Sequence, residues 1–206
     1  MAADTHEKLK AIKQSFRFVM DGTTSRSMTD KGMVYKLNWG VPFHELRKMA
    51  QPYGKDYDLA VELWKEDIRE CKILATLIMP PEKMSAELIE VWMEQKMSQE
   101  MAEMLAFNLY QYLAEAPVWA YQWMASERPE WQICAYHILA RLFMRGQEPN
   151  ERGINEYLDQ VGVALQSTHL GVKHAALSSL GKFIALGDEY EKLAQQYLQS
   201  IGLQTL

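Results

Sequence analysis

Cysteine is scarce in this sequence, since only Cys71 and Cys134 occur among 206 residues. Both lie in apolar helical patterns, which indicates a pair of reduced, buried thiols rather than a disulfide. Long apolar runs are also missing, because no run approaches the ~18 residues that span a bilayer. The N-terminal residues are polar and lack the apolar core of a signal peptide. We therefore expect a cytoplasmic protein.

Proline and glycine are few as well, with seven and eleven residues respectively. They lie mostly between segments of helical periodicity, and no β pattern competes with the helical one. An excess of positive charge is absent, because the formal net charge is −5 and the pI is about 5.6. The total charge argues against a chain coated in basic residues for nucleic acid or a membrane. The positions of individual Lys and Arg residues then decide whether a local basic surface exists.

Apolar residues at helical spacing predict a series of amphipathic helices along the chain. An exposed, flexible loop is expected at about residues 21–33, where Gly, Thr, Ser and Asp interrupt the pattern. Further on the helices fall into pairs, whose second helices begin near residues 68, 99, 129 and 169. This spacing of roughly 30–40 residues is typical of two-helix solenoid repeats. We predict an all-α solenoid in one domain over residues 1–206; a helical bundle without repeats is the alternative.

Basic residues recur on the polar faces of the second helices. Equivalent helices of a solenoid line one concave surface, so these residues would add into a basic track despite the acidic total. Lys and Arg in such a track would neutralise backbone phosphates. The predicted DNA-binding residues on these faces are Lys65, Arg69, Lys72, His137, Arg141, Arg145, Lys173, His174 and Lys182. The alternative is a set of ordinary solvated faces with ion pairs between neighbouring turns.

The helix at 99–113 carries a different stripe, in which Gln99, Glu103, Phe107 and Tyr110 combine an acid with aromatic residues. A carboxylate beside aromatic surface could hold a cationic base and stabilise the positive charge that develops when a glycosidic bond breaks. Glu103 is therefore a candidate catalytic residue, and Gln99 a candidate DNA contact. The alternative is a partly exposed acid beside interface aromatics.

Metal and cofactor chemistry have no signature in the sequence. Cys134 and His137 could share a helix face, but two ligands without a third do not make a metal site. His169 and His174 are five residues apart and point to different faces. A Gly-rich phosphate loop and a G-x-S-x-G nucleophile motif are also missing. We expect no metal and no cofactor.

Two stretches resemble a known family. They are residues 38–47 (NWGVPFHELR) and 59–79 (LAVELWKEDIRECKILATLIM), and they are similar to the DNA alkylation repair family of AlkD type. The resemblance covers most of the chain from about residue 35. It implies a HEAT-like helical solenoid whose concave face holds duplex DNA. In active members it also implies a glycosylase that removes cationic N3- or N7-alkylated purines without a metal, a cofactor or base flipping.

The resemblance also assigns the family's catalytic positions to this chain. Gln99 stands where active members have a first Trp, and Glu103 stands at the catalytic Asp. Cys134 falls at the position of an Arg, and Ser179 at about that of a second Trp. Loss of both Trp residues would remove the walls that hold a cationic lesion by cation–π contacts. The resemblance thus implies a family member with a degraded or rebuilt site.

Two hypotheses follow for the function. The first is a protein that binds duplex DNA and whose enzymatic form would be a glycosylase acting on alkylated purines, with Glu103 as the charge-stabilising carboxylate. The second is a catalytically inactive helical-repeat scaffold that binds DNA or a protein partner. The acidic pI and the missing Trp and Arg positions favour the second.

Overall fold

The computed structural model describes residues 2–33 and 35–203, which form twelve α-helices. These are α1 (Ala2–Val19), α2 (Gly22–Asp30), α3 (Phe43–Ala50), α4 (Tyr57–Lys65), α5 (Arg69–Ile78), α6 (Ala86–Glu94), α7 (Gln99–Asn108), α8 (Ala116–Met124), α9 (Pro129–Met144), α10 (Glu151–Leu165), α11 (Leu170–Ile184) and α12 (Asp188–Ser200). Short 3-10 helices lie at Gln51–Tyr53, Pro81–Lys83 and Tyr110–Tyr112. Within the described residues there is no β-strand, only an isolated bridge between Leu37 and Ile68. The all-α prediction is confirmed.

Two compact units divide between Leu109 and Tyr110. Unit 1 contains α1 to α7, and unit 2 contains α8 to α12. The single domain over residues 1–206 stays a prediction. None of the described helices combines the length and the apolar character that a membrane span requires.

The predicted pairing of helices is confirmed. The second helices of the pairs begin at Arg69, Gln99, Pro129 and Leu170, within one residue of the positions expected from the sequence. In unit 1, α5 packs against α4 and α7; in unit 2, α9 packs against α8 and α11. Alanines on these helices, such as Ala75 in α5, are fully buried and let neighbouring helices approach closely.

Large aromatic side chains fill the space between the helices of each unit. In unit 1 the indole rings of Trp64 and Trp92 stack with their centroids 4.1 Å apart and their planes 6° from parallel. In unit 2 the ring of Trp123 packs 5.5 Å from that of Tyr110. Each of these Trp residues lies in the last turn of the first helix of a pair, so the repeat places them at equivalent positions in the core.

Both cysteines are free and buried, as the sequence predicts. Burial raises the pKa of the Cys71 thiol to about 12, the Glu66 carboxylate adding to the effect. Burial also raises the pKa of Cys134. Both side chains therefore stay protonated and serve as small apolar core residues.

The flexible loop expected at 21–33 is a wrong prediction, because residues 22–30 form helix α2. The Asp21 side chain caps this helix and accepts hydrogen bonds from the backbone N–H groups of Thr23 and Thr24 at 2.9 and 3.1 Å. No residue of α2 is buried, so the helix has no apolar stripe by which periodicity could reveal it. The expected exposure was correct, whereas the backbone conformation was not.

Candidate nucleic-acid interface

The predicted DNA contact at Arg69 is wrong, because its side chain is only 3% exposed. Its guanidinium forms a bidentate pair with the Glu100 carboxylate, with N–O distances of 2.8 and 2.6 Å. It also donates to Glu70, which is fully buried, at 3.1 Å. A phosphate cannot reach a guanidinium whose donors are committed to two carboxylates inside the unit.

This buried ion cluster holds an irregular segment, residues 35–41, against α5 and α7. Glu70 accepts hydrogen bonds from the backbone N–H groups of Trp39 and Val41, each at 3.2 Å. Arg69 donates to the Val41 carbonyl, and the Tyr35 hydroxyl donates to Glu100 at 3.0 Å. The backbone of this segment has few helix or strand partners, so the side chains of the cluster supply its hydrogen bonds.

The two predicted lysine contacts of unit 1 have partners of their own. Lys65 is exposed and pairs with Glu62 at 2.6 Å on the same helix, as in the solvated-face alternative. Lys72 donates to the Trp64 carbonyl at 3.0 Å and to the Gln95 side chain at 2.7 Å. Its ammonium also lies 4.5 Å from the centroid of the Trp64 ring, and burial lowers its pKa. Lys72 therefore links α4 to Gln95, the residue with which the α6–α7 connection begins.

Helix α7 places the carboxylate stripe of the sequence analysis at the surface of unit 1. The Gln99 amide donates to the half-buried Glu103 carboxylate at 2.9 Å. Phe107 is half-buried one turn further along, whereas Tyr110 is fully buried in unit 2. The helix carries two glutamates and no Lys or Arg. Glu100 is paired with the Arg69 guanidinium, so Glu103 is the carboxylate of the surface stripe; it would repel a phosphate and could stabilise a local cation.

The remaining two positions taken from the resemblance lie in the core of unit 2. Cys134 is fully buried in α9. Ser179 is fully buried in α11, where its hydroxyl accepts a hydrogen bond from the Tyr157 hydroxyl at 2.9 Å. Neither side chain can contact DNA, so no Arg or Trp function is present at these positions.

Helix α9 is buried on almost every side and reaches the surface along one narrow stripe. This stripe contains His137, Arg141 and Met144, of which Met144 is 56% exposed. Burial lowers the pKa of His137 to about 4, and the positive charge of Arg141 adds to the effect. His137 is thus a neutral hydrogen-bonding group near pH 7, and Arg141 is the cation of the stripe.

Helix α11 packs along α9 and presents a wider exposed face. His174, Ser178 and Gly181 lie near its centre, and the two lysines Lys173 and Lys182 lie at its edges. No acidic residue occurs in this helix. Residues Arg141, Lys173, His174 and Lys182 are referred to below as the α9/α11 basic face.

Arg145, the last predicted contact, has a different role. Its guanidinium donates to the side chain and to the carbonyl of Gln111, each at 2.7 Å, and lies 5.5 Å from the ring of Tyr112. It therefore anchors the 3-10 helix at the start of unit 2 to the end of α9. Its donors are directed at protein rather than at solvent.

Sequence reasoning missed a second basic surface, on α1. His6, Lys10, Lys13 and Arg17 follow the spacing i, i+4, i+7 and i+11, which places them on one helix face. They line a groove of about 350 Å³ together with Trp39 and other residues of unit 1. The spacing of these four residues predicts a basic helix face, whereas the prediction for α1 used only its apolar stripe.

No group of three or more His, Cys, Asp or Glu side chains in the described ranges could hold a metal ion.

The sequence matches the family model described as DNA alkylation repair enzyme over residues 12–140, more than half of the chain. The chain belongs to the DNA alkylation repair family. The matched region ends inside α9, so α10 to α12 lie beyond it. No curated protein matches the sequence of this family member.

The fold of this DNA alkylation repair family member is also similar to a solved structure. That protein is described as belonging to a new family related to the HEAT-like repeat DNA glycosylases, with affinity for branched DNA structures. The TM-score is 0.81 at 17% sequence identity, and the match covers 96% of this chain and 85% of the other. The similarity shows that the helix pairs form a HEAT-like repeat fold, in agreement with the sequence analysis.

Proposed function

We propose that this chain binds DNA through the α9/α11 basic face. The observation that carries the proposal is the separation of charge among the helices of unit 2. The second helices α9 and α11 contain Arg141, Lys173 and Lys182 against a single acid, Glu130. The first helix α10 and the terminal helix α12 each contain three acidic residues and one basic residue.

This arrangement favours a phosphate backbone over a base as the main contact. Lysine and arginine in an exposed row release counterions from DNA when they neutralise phosphates. Neutral His137 and the hydroxyl of exposed Ser178 can donate or accept hydrogen bonds between the cations. Gly181 has no atom within 4 Å of the position its Cβ would take, so a DNA strand can approach the α11 backbone closely there.

The preferred DNA is proposed to be branched rather than damaged. The solved relative is described by its affinity for branched DNA structures. In this chain the family's Arg and second Trp positions, Cys134 and Ser179, are core residues and cannot hold a lesion. Recognition by DNA shape requires only positioned backbone contacts, which the α9/α11 basic face offers.

Fluorescence anisotropy with a linear duplex and a four-way junction tests the binding surface. The double substitution Arg141→Glu and Lys182→Glu is expected to weaken binding at least ~10-fold and to lower the salt slope by roughly 1.8, since each lost phosphate contact removes about 0.9. The matched control is Arg152→Glu with Lys192→Glu, which changes the charge equally on the exposed faces of α10 and α12. Equal losses in both double variants would refute this surface.

A glycosylase is the second candidate, favoured by the half-buried Glu103 carboxylate. Its position is fixed by the Gln99 amide at 2.9 Å, with half-buried Phe107 on the same helix face. In such a reaction the bond between the sugar C1′ and the cationic purine breaks, its electrons leave with the base, which becomes neutral, and water adds to C1′ and releases a proton to solvent. Glu103 would stabilise the positive charge on the sugar as it develops.

Release of alkylated purine from methylated duplex DNA tests this candidate. We expect Glu103→Gln to abolish any release, whereas Glu90→Gln on the exposed face of α6 leaves it unchanged. Absence of release by the wild-type protein excludes N3- and N7-alkylated purines as substrates. Absence of DNA binding at low salt as well would instead support a scaffold for a protein partner.

A further inference from the structure

The basic surface on α1 differs from the α9/α11 basic face because it borders an apolar groove. His6, Lys10, Lys13 and Arg17 fall within an arc of about 60° at 100° per residue. Leu37 and Trp39 come from the irregular 35–41 segment and form part of the groove lining, with Ile68 of the connection before α5. All of these residues belong to unit 1.

The cations of this groove have few acidic partners. Lys13 pairs with the only acid in the lining, Glu66, at 2.8 Å. Among the described residues no carboxylate lies within ion-pair distance of Lys10 or Arg17, and both side chains are exposed. Of the two acids of α1, Asp4 pairs with Lys8 on another side of the helix, and Glu7 does not line the groove. The groove therefore keeps a net positive charge that would attract an anionic partner from solution.

The aromatic lining narrows the identity of that partner. A duplex presents phosphates but no exposed base faces. It could therefore contact Lys10 and Arg17, but it has no surface to pack against Leu37 and Trp39. A single strand presents both, because its unstacked bases can lie on aromatic rings while its phosphates follow the cations. The indole of Trp39 is half-buried, and Leu37 beside it is 41% exposed.

We propose that the α1 groove binds single-stranded DNA, with the phosphates on Lys10 and Arg17 and a base on Trp39. The groove volume of about 350 Å³ lies within the range of about 300–1,000 Å³ found for ligand pockets. Resting on the DNA-binding function proposed above, this site would give the protein separate contacts for the paired and unpaired parts of a branched structure.

The ion cluster around Arg69 explains how the groove wall is held. Glu70 binds the Trp39 backbone N–H at 3.2 Å, and Arg69 donates its own backbone N–H to the Leu37 carbonyl at 3.0 Å. The Asp21 N–H donates to the Trp39 carbonyl at 3.0 Å from the other side. The backbone on which Leu37 and Trp39 stand is thus fixed at three points before any strand binds, which lowers the entropy cost of binding.

The experiment compares a labelled single-stranded oligonucleotide with a linear duplex. Substituting Lys10→Glu and Arg17→Glu is expected to weaken single-strand binding about 10-fold or more at low salt and to reduce its salt slope by roughly 1.4. Duplex binding should change less than about two-fold. The control Arg152→Glu with Lys192→Glu should leave single-strand binding unchanged, because both side chains are exposed on unit 2.

A second readout tests the stacking contact. Trp39→Ala should weaken single-strand binding roughly five-fold or more, and Trp39→Phe should retain most of it. An oligonucleotide containing 5-bromouracil should crosslink under ultraviolet light to the peptide that contains Trp39, a result that does not depend on how a variant folds.

The outcomes separate this proposal from the function proposed above. Lack of single-strand binding by the wild-type protein, or equal effects of the α1 and control variants, overturns the α1 site. Single-strand binding that depends on Lys10 and Arg17 in a protein without duplex affinity overturns the α9/α11 basic face and keeps the α1 site.

Discussion

The second helices of the two units use their charged residues in opposite ways. In unit 1, Arg69 and Glu70 of α5 lie in the interior and pair there, joined by Glu100 of α7. In unit 2, Arg141 of α9 and Lys182 of α11 reach the surface. The difference is one of environment rather than of residue type. The charged residues of both units occur on equivalent second helices of the repeated helix pairs.

The 35–41 segment is the physical reason for this difference. Its backbone runs irregularly past α5, so its N–H and C=O groups need side-chain partners. Buried carboxylates satisfy these groups, and a buried carboxylate in turn needs a cation. Short connections join helices α9, α10 and α11, and Lys182 of α11 is exposed to solvent. A basic residue on a second helix is therefore a candidate DNA contact only where no irregular segment covers it.

The largest expected effect comes from removing the buried cation of unit 1. Arg69→Ala leaves the Glu70 and Glu100 carboxylates without their partner, which should lower the free energy of unfolding by about 3–5 kcal/mol. Urea unfolding followed by circular dichroism measures the loss. Arg141→Ala in unit 2 is the counterpart and should cost less than about 1 kcal/mol. Similar losses in the two variants would remove the distinction between the units.

The junction between α2 and the 35–41 segment should be nearly as sensitive. Gly40 has a φ of +69°, and a Cβ there would overlap the carbonyl oxygen of Asp21. Gly40→Ala should therefore lower the free energy of unfolding by about 2–4 kcal/mol through backbone strain and overlap. The same unfolding experiment gives the value. If the segment is only loosely attached, the loss will stay below about 1 kcal/mol.

Lowering the pH should destabilise unit 2 through protonation of His137. Its folded pKa of about 4 lies below the ordinary value of 6.5, so burial favours the neutral form. The resulting stability is fully present above pH 6.5 and is lost as the pH falls from 6.5 through 4, by roughly 1–3 kcal/mol. Urea midpoints measured across this range should fall more steeply for the wild-type protein than for His137→Gln. Parallel pH profiles for the two proteins would contradict this account.

The smallest effect is a gain in stability. Gly181 lies in the exposed part of α11 with no neighbouring atom at its Cβ position, so Gly181→Ala should raise the free energy of unfolding by about 0.5–1 kcal/mol. On the α9/α11 basic face the added methyl group should also weaken DNA binding if a strand approaches the helix backbone. Thermal unfolding and anisotropy on the same variant measure both changes. Unchanged affinity would place the DNA away from Gly181.

Periodicity predicted the helix pairs because burial of one helix face leaves a local signature in the sequence. Trp64 and Trp92 occupy equivalent positions in two repeats of the sequence pattern, and their indole rings stack in the core. Periodicity did not predict helix α2, because none of its residues is buried. The local feature that marks its start is the N-cap residue Asp21. Local signals therefore identify elements that contribute to a core and miss those that do not.

The sequence predicts which residues are of the right type to contact DNA, but it does not predict whether their side chains are exposed or already paired within the protein. Arg69 and Arg141 look alike in the sequence, yet the partner that removes Arg69 from the surface, Glu100, is 31 residues away. Lys72 is likewise committed to Gln95, 23 residues further along the chain. Spacing along one helix contains no information about such distant partners.

The all-α repeat, the buried thiols of Cys71 and Cys134 and the family can all be predicted from the amino-acid sequence, because apolar periodicity and residue identity are local properties. Which charges face solvent depends on how distant parts of the chain pack together. The fold places Arg69 inside unit 1, leaves Arg141 half-buried and Lys182 exposed in unit 2, and brings Trp39 beside the basic stripe of α1. The physical reason is that a charge is buried only when distant segments together provide its counter-charge and hydrogen bonds.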